Sequence, residues 1–84
     1  NHPDLASSYN NIGMVYSDMG DYSKALEYYE RASTIQQQSL PPNHPDLASS
    51  YNNIGMVYSD MGDYSKALEY YERASTIQQQ SLPP

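Results

Sequence analysis

Few residues in this sequence could do covalent chemistry. Serines and aspartates recur along it, and His2 and His44 are its only imidazoles. A serine becomes a nucleophile only beside a positioned base, and paired carboxylates work only where they share a pocket. His2 stands before Pro3-Asp4 and His44 before Pro45-Asp46, equivalent places one period apart, with no third ligand type converging to close a metal site. Cysteine is absent, which removes thiolate chemistry, disulfides and Cys-based zinc sites. The glycines stand singly, at Gly13, Gly20, Gly55 and Gly62, so no phosphate-cradling loop is present. No catalytic, metal or cofactor site is expected, and enzyme activity is not. What remains is recognition chemistry. Asn10-Asn11 and Asn52-Asn53 are paired amides, each side chain offering donors and an acceptor.

The elements that carry these residues follow from a repeat. Residues 1–42 recur without change as residues 43–84, and a perfect period of this size points to stacked repeats. Leu5, Tyr9, Ile12, Tyr16 and Met19 are spaced alternately by four and three, one stripe of an α-helix. Tyr22, Ala25, Leu26, Tyr29, Ala32 and Ile35 repeat the pattern. Pro3 suits a first helical turn, Gly20 closes the first stretch, Asp21 can cap the second, and Pro41-Pro42 ends it. The spacing predicts a first repeat, 1–42, with helix A over about 3–19 and helix B over about 22–40. The second repeat, 43–84, has helices over about 45–61 and 64–82. So short a link as Met19-Gly20-Asp21 folds the two helices back on one another. Gly13 on the buried side of helix A implies close approach of a second backbone.

Charge narrows the partners. Ten acids against four bases leave −6, which argues against nucleic acid and anionic membrane surfaces. No apolar run approaches the roughly 18 residues of a membrane span. Both bases of each copy, Lys24 and Arg31 in the first, lie in helix B.

Tyr9-x2-Ile12-Gly13-x2-Tyr16 followed by Ala25-x3-Tyr29, Ala32 and Pro41 resembles the tetratricopeptide repeat pattern. Tyr51, Ile54, Gly55, Tyr58, Ala67, Tyr71, Ala74 and Pro83 carry it again, so the resemblance covers the whole chain. The period of 42 exceeds the ~34 residues of the common repeat by about two helical turns, most simply one per helix. With His2-Pro3-Asp4-Leu5-Ala6 opening helix A and Asn10-Asn11 inside it, the chain looks like the kinesin-light-chain type.

That resemblance implies an all-α, right-handed solenoid of two helix-turn-helix repeats, part of a cytoplasmic interaction scaffold. Its concave helix-A face would receive a peptide segment through Asn10, Asn11, Met14, Ser17, Asn52, Asn53, Met56 and Ser59. The paired asparagines would bond the peptide backbone. Asn10 is assigned to this groove; for Asn11, which borders the core stripe, holding the next repeat in register is an equal alternative. Helix A has no basic residue, so a carboxylate clamp like that of the chaperone-binding members is not expected. Asp18 and Asp60 favour a neutral or basic partner. Similar 42-residue arrays serve as sensor ends of nucleotide-binding signalling receptors, the alternative context, in which the surface serves mainly for stacking.

Identity of the copies adds a second partner. Whatever complements the end of one repeat is present at the start of every other molecule, so head-to-tail stacking would propagate without closing. Leu5, Tyr9 and Ile12 on one end, with Leu68, Tyr71, Ile77 and Leu82 on the other, are expected to form those faces.

Overall fold

The computed structural model describes residues 3–81, and the side chains of residues 5–80. Four helices follow in order: α1 (Pro3–Asp18), α2 (Tyr22–Ser39), α3 (Pro45–Asp60) and α4 (Tyr64–Ser81). No strand occurs among the described residues. The first three helices each end one residue before the expected boundary, and the expected end of α4, at residue 82, lies outside the described residues. For α3 the reason is local: Met61 is the capping residue, its N–H donating to the Val57 carbonyl at 3.0 Å.

The turn inside each repeat is set by one glycine. Gly20 and Gly62 hold φ of 83° and 87°, a left-handed backbone that residues with a Cβ adopt only at a cost. That conformation lets the Gly20 N–H donate to Ser17 O at 3.0 Å and the Asp21 N–H to Tyr16 O at 2.9 Å. These two bonds satisfy carbonyls at the end of α1 that have no partner within the helix. Asp21 then caps α2, its carboxylate accepting from the Lys24 N–H at 3.4 Å. Lys66 N–H and Asp63 repeat the contact at 3.3 Å.

Between the repeats the chain leaves α2 at Leu40 in extended conformation and turns at Pro41, whose carbonyl accepts from the His44 N–H at 3.1 Å. His44 is the cap of α3: its Nδ1 accepts from the Asp46 N–H at 3.1 Å, with Pro45 following at the first helical position. A neutral imidazole with Nδ1 unprotonated is the form that makes this bond. His2 lies outside the described residues.

Within a repeat, α1 packs on α2 and α3 on α4; the joint between repeats is α2 against α3. The result is a flat, elongated body of 39 × 29 × 15 Å. Gly13 and Gly55 are buried at the helix crossings. A Cβ on Gly13 would stand 2.8 Å from the Tyr29 ring and 3.2 Å from the Ala25 carbonyl oxygen, so glycine is required for this approach. Three rings per repeat seal one edge of the crossing. Tyr28 stacks on Tyr16 at 5.6 Å between centroids and meets Tyr9 at 5.8 Å. Arg31 lies over Tyr28 at 5.2 Å and Lys24 over Tyr16 at 5.9 Å. The same ladder recurs with Tyr70, Tyr58, Tyr51, Arg73 and Lys66. The four bases therefore cover aromatic rings.

Candidate protein-interaction site

Two kinds of surface emerge, one along the first helices of the repeats and one at each end. In α3 the buried residues Leu47, Ser50, Ile54 and Val57 face the joint. Ser49, Asn53, Met56 and Asp60 form a separate stripe, exposed except for the half-buried Asn53. In α1 the equivalent Ser7, Asn11, Met14 and Asp18 are all exposed. Two stripes of identical composition thus stand on α1 and α3, each carrying an amide, a thioether, a hydroxyl and a carboxylate. Asn10, Asn52, Ser17 and Ser59 border them and are half-buried.

The structure separates the two asparagines. Asn10 reaches the neighbouring repeat, its Nδ2 donating to Ser50 Oγ at 3.5 Å, while Asn11 stays exposed on α1. The Asn10 Oδ1 is buried with no hydrogen-bond partner among the described residues. Ser50 Oγ in turn donates to Gln36 Oε1, and Gln37 Nε2 donates to the Tyr51 hydroxyl at 2.8 Å. Polar side chains from α1, α2 and α3 therefore meet in the joint. The apolar stripes that predict the helices include neither Ser8 nor Val15, nor Gln36, nor their duplicates in the second copy. The signal was present: Ser8, Ile12, Val15 and Met19 are a second helical stripe beside the one used.

The end surfaces are defined by comparing a residue with its own duplicate. Ile12 is 38% exposed and Ile54 1%; Val15 is 58% exposed and Val57 1%. On the other side of the joint Tyr29 is 3% exposed and Tyr71 36%. Leu5 and Leu68 are exposed, while Leu47 is buried and Leu26 half-buried. Sequence, neighbours and helix propensity are equal in each pair. The difference is α2 packing on α3, with no described element packing on that side of α1 or on the far side of α4.

Tyr9 lies half-buried at the first end. Ile77, expected on the second end, is instead buried with Leu47, Ala48 and Ala74. The exposed stripe of α4 runs Leu68, Tyr71, Ser75 and Gln78, and Ile77 sits about 100° round the helix from Gln78, toward α3. Leu82 lies outside the described residues.

Electrostatics at the joint are mild. Burial, and secondarily the charge of Asp18, push the Tyr29 phenol up from its ordinary range. Burial first, then Tyr58, Glu30 and Glu69, raise that of Tyr70 against the opposing effect of Arg73. Both rings are thus held neutral. The stability they contribute is present below the unfolded value of about 10 and is lost as pH rises through the folded values.

A concavity of about 740 Å³ on α2 is lined by Tyr9, Ser23, Leu26, Glu27, Glu30, Arg31, Thr34 and Ile35. It holds no histidine; its Arg31 and Glu27 are 4.0 Å apart, and the Thr34 hydroxyl donates to the Glu30 carbonyl at 2.9 Å. Among the described residues no three His, Asp or Glu side chains gather where they could hold a metal ion. No described helix is long and apolar enough to cross a membrane.

Comparison with known proteins agrees with this geometry. The family model described as tetratricopeptide repeat matches residues 1–80. Among solved structures, BtubC (BKLC) from P. vanneervenii superposes with a TM-score of 0.79 at 34% identity, over 94% of this chain and 33% of that one. The nearly identical TPR-like repeats of a putative kinesin light chain from P. anserina give 0.83 at 26% identity, over 99% and 39%. MamA gives 0.74 at 29% identity, over 89% and 39%. The chain thus spans between 33% and 39% of the length of these structures. No curated protein sequence matches it.

Proposed function

Because the chain belongs to the tetratricopeptide repeat family, an all-α solenoid that generally mediates protein–protein contacts and is typically non-catalytic, we propose that it is a non-enzymatic, cytoplasmic scaffold that binds an extended peptide across α1 and α3. The observation that carries this reading is the pair of identical stripes, repeated one helix pair apart and carrying no base. Asn11 and Asn53 would bond the peptide backbone, with Asn10 and Asn52 at the border. Met14 and Met56 would supply adaptable apolar contact, and Ser17 and Ser59 further donors. Asp18 and Asp60 make a neutral or basic peptide the better match. The kinesin-light-chain-like neighbour supports the scaffold context.

A peptide array probes this directly. Neutral and basic segments are expected to be retained and strongly acidic ones excluded; acidic peptides binding best would contradict it. Asn11→Ala with Asn53→Ala should weaken binding by about 5-fold to 150-fold, about 0.5–1.5 kcal/mol for each lost hydrogen-bonding group. Helix content should not change, because neither residue is in the core.

A second reading rests on the duplicate residues with unequal burial. The exposed side of α1 is the side of α3 that packs on α2, and the exposed side of α4 is the side of α2 that packs on α3. We infer that a second copy of the chain stacks head to tail, repeating the internal joint. If the context is instead a sensor array of a nucleotide-binding signalling receptor, this stacking is the main use of the surface. The charge of −6 opposes association at low ionic strength, and salt screens it. Sedimentation velocity should show average mass rising with concentration, and more steeply in high salt. A monomer under every such condition would remove the stacking reading and leave peptide binding untouched.

A further inference from the structure

The apolar joint between repeats holds one buried hydrogen-bonded cluster, and that cluster is a poor source of stability. Ser50 is fully buried, 0% exposed, between Gln36 and Asn10, and the Asn10 Oδ1 it brings with it has no partner among the described residues. Aliphatic side chains in these places would fill the joint without that loss. What a polar cluster in a dry interface does supply is position. Leu47, Ile54 and Val57 are methyl-bearing neighbours on one helix face, and a slip by one turn exchanges one for another at small cost. The hydroxyl of Ser50 has no such substitute. In a slipped register the Gln36 and Asn10 amides would face aliphatic carbon, and each unmatched group costs about 5-fold to 150-fold in an equilibrium constant.

Ser8 is the duplicate of Ser50, and it is exposed on the free side of α1 beside Ile12 and Val15. Gln78 and Asn52 are the duplicates of Gln36 and Asn10. We infer that Ser8 sets the register in which a second copy docks: its hydroxyl takes, between chains, the place that Ser50 holds within the chain, between Gln78 and Asn52 of the preceding copy. This rests on the stacking reading and adds to it one permitted alignment. Association then continues the internal repeat at an unbroken pitch instead of forming a family of slipped contacts. Tyr9 and Gln79 make a second link in that alignment, as Gln37 and Tyr51 do inside the chain at 2.8 Å.

The duplicate supplies the control. Ser50→Ala acts on the joint within the chain and is expected to lower its folding stability, whereas Ser8→Ala leaves the isolated chain's unfolding midpoint unchanged. A double-mutant cycle on the 84-residue chain, read by sedimentation equilibrium in high salt, tests the contact between copies. Ser8→Ala and Gln78→Ala alone should each weaken self-association by about tenfold. The double variant should associate about tenfold more tightly than the product of the two losses predicts. Ser8 and Gln78 lie in the first and last helices, on faces that do not meet within one chain, so such coupling is carried by a contact between copies. Losses that multiply without coupling, or a Ser8→Ala chain that associates as the parent does, would overturn the assignment while stacking survives. No association of the parent chain at any concentration would overturn the stacking reading itself.

Discussion

Replacing Ile54 by Ala is expected to lower the unfolding free energy by about 2–5 kcal/mol, the range for large-to-small changes in a packed core. Ile12→Ala, the same change within an identical stretch of sequence, is expected to cost less than about 1 kcal/mol. Side-chain chemistry and helix propensity are equal in the two variants, so both effects cancel in the comparison. The remaining difference is burial: Ile54 is 1% exposed in the joint with Ala25, Tyr29 and Val57, and Ile12 is 38% exposed. Urea unfolding followed by circular dichroism, in dilute protein at low salt so that no second copy covers Ile12, measures both. Equal losses would mean that α2 and α3 do not pack in solution and that the repeats fold independently.

The second large effect is expected at Gly13. Gly13→Val places a Cβ 2.8 Å from two carbons of the Tyr29 ring and 3.2 Å from the Ala25 carbonyl oxygen. Tyr29 is 3% exposed, held by Ile54 and Val57 of the next repeat, so the ring cannot swing aside without opening the joint. Overpacking of this kind costs about 1–3 kcal/mol, while the helix-propensity gain of Val over Gly returns only a few tenths. A net loss of about 2 kcal/mol is expected. Gly55→Val should be milder by about 1 kcal/mol: the corresponding approach is 3.0 Å, and Tyr71, at 36% exposed, can yield. Thermal or urea melts of the two variants decide it. Equal or smaller losses at Gly13 would show that the α1–α2 crossing is looser than described.

Much of this architecture was legible in the residues. The alternation of four and three from Leu5 to Met19 has only one backbone solution, the α-helix, and the Gly20-Asp21 pair can only be a stop followed by a start. Gly13 announced a close crossing because glycine inside a helix is otherwise a loss. Other features were hidden by chemistry that sequence patterns do not register. Tyr28 lies outside the helical stripe legible in the sequence, yet it stacks on Tyr16 beneath Arg31, since an amphipathic ring can close the edge of a crossing. Nothing local distinguishes a serine that will meet a glutamine, as Ser50 meets Gln36, from one that will meet water. Ile77 was assigned to an open face by its hydrophobicity, and the helix phase turned it inward toward Leu47.

The duplicated sequence divides local from global causes cleanly. Properties that depend on near neighbours in the chain came out twice: four helices of matched lengths, two glycine turns with φ of 83° and 87°, and two tyrosine ladders with their cations. Each rests on hydrogen bonds and contacts confined to one repeat, so equal residues had to produce equal structure. Exposure of Ile12 and Ile54, Val15 and Val57, or Ser8 and Ser50 is not a property of that kind. Those pairs differ only in whether another helix lies against them, and removal of apolar surface from water depends on that neighbour's position in space. The same residues are therefore core in one copy and exposed surface in the other.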